Sequence, residues 1–223
     1  MLDLQHSTHR RGFLGRITAA AAALGLGGLA PRSLLGETVA EPGSADPAYA
    51  AWLNKISGKH KMVFDAPEPN GGMAAVWPRV WLDTTNATYG TTDAQNSAVI
   101  ILRHGAIGFA LQDAAWAKYK LGEMFKINDG SAPASHNTWM KPFPLPLPGT
   151  GIEALLAKGV LVGACNVALS VFSGMAAKSM GMDAAVVKAD WIANLIPGIQ
   201  VVPSGVLAVS GTQEKGCNYC FAG

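Results

Sequence analysis

The chain has no basic surplus to offer a nucleic acid. It carries 17 Lys and Arg against 15 Asp and Glu over 223 residues. Four of those arginines (Arg10, Arg11, Arg16, Arg32) and two acids (Asp3, Glu37) fall in the first forty residues, which leaves 13 of each sign behind them. Binding to phosphates draws on an excess of lysine and arginine, so nucleic acid is set aside as a partner. No glycine fingerprint for a nucleotide phosphate opens a helix after the first expected strand, and no nucleotide cofactor is expected. Internal repeats are absent. Cysteine is scarce, with Cys165, Cys217 and Cys220 alone. One Cys-x-x-Cys without a second pair falls short of the four ligands that a structural zinc site wants. Apolar residues are plentiful at 49% of the chain, enough for one domain with a real core, and 223 residues are too few for two large ones.

The N-terminus is read separately. His9-Arg10-Arg11-Gly12-Phe13-Leu14-Gly15 precedes an alanine-rich apolar stretch from Ile17 to Ala30. No polar face interrupts that stretch, as an amphipathic helix would require. The Arg-Arg-x-Phe-Leu order resembles a twin-arginine export signal. Arg32 cuts the apolar run short of a membrane span. Thr38-Val39-Ala40 is a fair cleavage site, and Ala30 is followed by Pro31. The expectation is export to the periplasm with cleavage near Ala40 and no membrane attachment afterwards. An uncleaved signal would anchor the chain. The organisation expected is a signal over 1–40, a linker and short helix over 41–58, and one domain over 59–223.

Within that domain, apolar runs alternate with helical spacing. Strands are expected at Lys59–Asp65, Asn96–Leu102, Val160–Asn166 and Ile199–Val202, with a short edge strand or tail over Gly216–Phe221. Helices are expected near Ala48–Ile56, around Val76–Trp81, from an Asp113 cap through Phe125, over Gly151–Lys158, from Val167 to Met180, from an Asp183 cap to Leu195, and from Ser204 or Gly205 to Lys215. Pro78 suits the first turn of its helix. The proline-rich stretch 127–150 is expected as a long loop carrying His136, Trp139 and Phe143. Strands alternating with helices argue for an α/β layered domain with a mostly parallel sheet of about five strands.

Three places bear a resemblance. They are the strand ending in His104-Gly105; Gly159-Val160 followed by Val162, Cys165 and Asn166; and the closing segment Pro197–Val206 with Gln213 and Gly216. Over roughly residues 59–221 their order resembles the DsrE/DsrF-like family, a sulfur-relay-related group. The resemblance implies a single flavodoxin-like three-layer domain. It implies a persulfide accepted on Cys165, a sulfur donor or acceptor protein as partner, and assembly into small homo- or hetero-oligomers. The chain departs from that usually cytoplasmic family by its export signal, its proline-rich insertion and its Cys-x-x-Cys tail.

The residues themselves carry a chemistry beside this. Cys165 ends a buried strand and precedes a helix, whose free N–H groups favour a thiolate. The plainer reading is a small buried apolar residue. His104, at the end of a second parallel strand, would serve on the same rim as proton partner or anion holder, or else cap a turn. Cys217 and Cys220 form a disulfide only if a turn intervenes at Asn218-Tyr219. They hold a metal only if the tail folds back toward Cys165 and a histidine; otherwise no cofactor is expected. Asp65 and Glu68 are rim candidates, more simply a solvated loop. His136 and Trp139 are read as a lid or a surface loop, and His60 as an edge residue. The leading function is an exported sulfur carrier or thiol-redox protein using Cys165. The alternatives are a non-catalytic metal- or small-ligand-binding module and an oligomeric scaffold.

Overall fold

The computed structural model describes residues 46–141 and 147–223. The expected signal over 1–40, the linker start (41–45) and Phe143 lie outside the described residues. The chain begins with α1 (Pro47–Leu53), whose N-cap Asp46 accepts from the N–H groups of Ala48 and Tyr49. There follow β1 (His60–Ala66), a 3₁₀ turn (Asn70–Ala75), α2 (Trp77–Tyr89) and β2 (Asn96–Leu102). A further 3₁₀ segment (His104–Ala110) leads to α3 (Asp113–Tyr119), α4 (Leu121–Phe125) and a small antiparallel pair, β3 (Asn128–Asp129) with β4 (Ala132–Pro133). The chain closes with α5 (Ile152–Ala157), β5 (Leu161–Cys165), α6 (Asn166–Met180), α7 (Ala184–Ala193), β6 (Gln200–Val202), α8 (Gly205–Glu214) and β7 (Asn218–Phe221).

Five strands form one all-parallel sheet in the order β6-β5-β2-β1-β7. The α/β three-layer expectation holds. In chain order the strands run 4-3-2-1-5, whereas flavodoxin itself runs 2-1-3-4-5. Alternation along the strands sorts the core into two layers. Phe64, Ile100, Leu102 and Val162 pack with Leu82, Trp116, Leu169 and Trp191 on one face. Val63, Val99 and Ile101 pack with Trp52 of α1 and Ala208 of α8 on the other. Right-handed crossovers explain the sorting. The steps β1 to β2, β5 and β6 all travel one way, so α2 to α7 share a face. The return from β6 to β7 runs the other way and puts α8 on the opposite face. The chain therefore leaves β5 and β6 toward opposite sides, which opens a crevice at their C-terminal ends.

Several local expectations change. Gln112 occupies the N-cap of α3, and Asp113 instead accepts from the Asn137 N–H at 2.8 Å. Lys120, at φ 50°, breaks the expected single helix into α3 and α4. Trp139 is no lid: it is buried and stacks on Phe109 at 3.6 Å between ring centres. His136, half-buried, lies 3.9 Å from Asp129 on the β3–β4 pair. The Pro78, Asp183 and Ser204 assignments hold. No helix among the described residues is long and apolar enough to cross a membrane.

One polar network fastens α2 to the start of β2. Arg79 pairs with Asp83 and donates to Asp93 at 2.8 Å, and Asn86 adds a bond to Asp93 at 2.7 Å. The Arg79 bond, against a smaller opposing effect of burial, holds Asp93 below the ordinary carboxylate value. A depressed folded-state value stabilises the protein above the unfolded value of about 3.9, and that contribution disappears as the pH falls through the folded value. Thermal melts between about pH 5 and pH 2 should therefore show a falling Tm that Asp93→Asn partly flattens.

Candidate functional site

The crevice predicted by the crossovers is a groove of about 570 Å³. Its walls are Val167, Val171, Phe172 and Met175 of α6 and Val206 of α8; Arg103, His104, Cys165 and Ser204 supply its polar part. Cys165 ends β5 and is also the N-cap of α6, with Sγ accepting the Ala168 N–H at 3.3 Å. Its residual exposure is 5%, and it lines the groove. Ser204 plays the matching part at α8, where its hydroxyl accepts the Leu207 N–H at 3.2 Å. Two helix N-termini thus flank the groove, each adding partial positive charge.

The sheet places a buried ion pair beneath the rim. Asp65, near the end of β1 and 3% exposed, accepts from Arg103 Nε at 2.7 Å and Nη2 at 2.9 Å. Tyr219 of β7 donates a third bond to the same carboxylate at 2.9 Å. Asp65 is therefore not part of a solvated loop. The Asp65 bonds raise the Arg103 pKa; burial opposes them, and the nearby Tyr219 and Cys165 add to the rise when ionised. This couples Arg103 electrostatically to the cysteine. Gly205 is required by close approach, since a Cβ there would lie 2.6 Å from the Arg103 Cβ.

His104 sits on the rim with its side chain 65% exposed and its backbone at φ 45°, a conformation uncommon outside glycine. Its Nδ1 lies 2.5 Å from Glu68 Oε1. An ionised carboxylate only accepts, so Nδ1 carries a proton and donates to Glu68. The ring meets Phe172 edge-on at 5.8 Å. Gly105 lets the Glu68 carboxylate lie against the turn, where a Cβ would come within 2.4 Å of Oε2. Cys165, His104, Asp65 and Glu68 thus converge at the C-terminal end of the sheet. Arg103 and Tyr219 complete the group and were missed by reading the sequence. The signal for Arg103 was there: an arginine directly after the apolar run Ala98–Leu102 calls for an acidic partner, and Asp65 stands near the end of the neighbouring strand.

Cys217 and Cys220 do not join them. β7 lies three strand spacings from β5, roughly 14 Å. Cys217 packs into the core layer under α8, whereas Cys220 packs against the opposite layer, and all three cysteines are free thiols. Among the described residues no cluster of three or more His, Cys, Asp or Glu could hold a metal ion. Burial pushes the Cys217 thiol up to about 11, with nearby Lys61 opposing. At neutral pH it is thus a protonated, sheltered thiol. Iodoacetamide on the native protein should leave Cys217 unmodified and label it on unfolding, as peptide mapping would register.

Fold and site together define a parallel α/β domain with a single thiol at a strand-end groove. No protein-family model and no curated protein sequence matches the chain.

Proposed function

We propose that the domain is an exported sulfur carrier in which Cys165 receives a sulfane sulfur, holds it as a persulfide and passes it to an acceptor thiol. The observation that carries this reading is the position of Cys165 Sγ, capping α6 and lining the groove between the diverging ends of β5 and β6. In loading, the Cys165 thiolate attacks the outer sulfur of a donor persulfide. A new S–S bond forms, the donor's S–S bond breaks, and the donor departs as a thiolate, without net oxidation. Unloading is the same exchange toward an acceptor thiolate.

Each neighbouring group has a part in that exchange. The Ala168 N–H, the positive end of α6 and Arg103 favour negative charge on the sulfur. His104 accepts a proton at Nε2 from an incoming thiol, and Glu68 fixes its ring. The apolar walls limit water at the persulfide. Exposed Val171, Met175, Val206 and Leu207 around the mouth supply apolar surface for a donor or acceptor protein. Cys165 has no second cysteine within reach, which favours a carrier over a dithiol redox couple. The reading also fits the resemblance to the DsrE/DsrF-like family.

The test is intact mass after exposure to inorganic polysulfide. The expected result is a gain of one sulfur atom, mapped to Cys165 and removed by dithiothreitol. No uptake, or uptake confined to Cys220, would reject the reading.

A further inference from the structure

A second hollow lies at the opposite end of the sheet from Cys165. It occupies about 360 Å³ beside the N-terminal ends of β1 and β7 and is closed on one side by α2. Its lining is Lys59, His60, Lys61, Trp81, Thr85 and Tyr89, with Gly216 and Asn218 at the edge. No carboxylate belongs to this lining, and among the described residues neither Lys59 nor Lys61 has a carboxylate partner. Lys61 Nζ donates to the Lys215 carbonyl at 3.0 Å and retains two N–H groups. Two unneutralised ammonium groups in one hollow repel each other, an arrangement that an anion relieves.

Polar groups of His60 and Thr85 share this lining. His60 Nε2 is buried without a hydrogen-bond partner. Thr85 is 6% exposed and lines the hollow. The wall is aromatic as well: the His60 ring stacks on Tyr89 at 4.3 Å and 22°, and Trp81 stands beside them. The carbonyl end of α2 reaches the same place and disfavours an anion. It acts as about half a unit charge, against two whole charges from the lysines.

We infer that this hollow binds a small organic oxyanion, a carboxylate or phosphate head on a planar body. Lys59 and Lys61 hold the head, and the His60, Trp81 and Tyr89 rings pack against the body. The volume lies within the range of small-molecule sites and exceeds what a bare ion needs. The site is independent of Cys165 and of the sulfur-carrier reading.

Isothermal titration of the whole protein with phenyl phosphate, benzoate, phenol and inorganic phosphate tests it. Saturable binding of phenyl phosphate or benzoate is expected, stronger than that of phenol or inorganic phosphate. The double variant Lys59→Met, Lys61→Met should weaken it at least about tenfold, the loss of charge-assisted hydrogen bonds. Tyr89→Ala, at an exposed side chain, should weaken the aromatic ligands and leave inorganic phosphate unchanged. Absence of saturable binding, equal binding of phenol, or undiminished affinity in the lysine double variant would overturn the inference.

Discussion

Cys165→Ser is expected to abolish sulfur loading while the fold stands. Serine is a good helix N-cap, and its hydroxyl can accept the Ala168 N–H that the thiol accepts now. Cys165→Ala removes that acceptor and should cost about 1 kcal/mol of stability. The pair of variants separates chemistry from capping: both lose the sulfur adduct, and only the alanine protein shifts its urea midpoint appreciably. Polysulfide treatment followed by intact mass, with urea unfolding on the same samples, reads both effects. Sulfur taken up by the serine variant at the wild-type rate would mean that another thiol does the work, and the carrier reading would fail. Cys217 is a poor substitute, because burial keeps its thiol protonated at neutral pH.

The sheet was the most legible part of the sequence, for a physical reason. A parallel strand covered on both faces reads as a near-continuous apolar run, and Ala98–Leu102 announces itself that way. Its limits, and the cap positions of Asp183 and Ser204, follow from local chemistry. Strand-end residues were legible through the same logic, so Cys165 and His104 were expected on one rim and are found together there. What stayed hidden depends on order across the sheet. Local pattern does not reveal that β7 pairs with β1 at the far edge, which carries Cys217 and Cys220 away from Cys165 and brings Tyr219 to Asp65. The tail's Cys-x-x-Cys therefore looked like a ligand pair, although a strand turns the two thiols to opposite layers. Trp139 misled in the same manner. A proline-rich loop suggests surface, whereas this tryptophan fills the core by stacking on Phe109, and Asn137 beside it satisfies the Phe109 and Leu111 carbonyls.

The second large effect concerns the ion pair under the rim. Arg103→Met is expected to cost about 3 kcal/mol, because it strands the Asp65 carboxylate, only 4% exposed, with Tyr219 as its one remaining side-chain donor among the described residues. Asp65→Asn should cost less, about 2 kcal/mol, since the Arg103 side chain is 26% exposed and water can solvate part of the orphaned charge. Combined, the two substitutions should cost less than their sum, because the double variant buries no unpaired charge. Urea unfolding of the four proteins closes this cycle. The functional consequence differs between the two single variants. Arg103→Met removes a cation coupled to Cys165 and should slow sulfur loading, whereas Asp65→Asn keeps that cation and should retain loading at a temperature where both proteins remain folded. Additive stabilities would show that the pair acts through packing alone. Equal loading rates in the two variants would remove Arg103 from the chemistry of the groove and leave the positive end of α6 as the source of favourable charge on the sulfur.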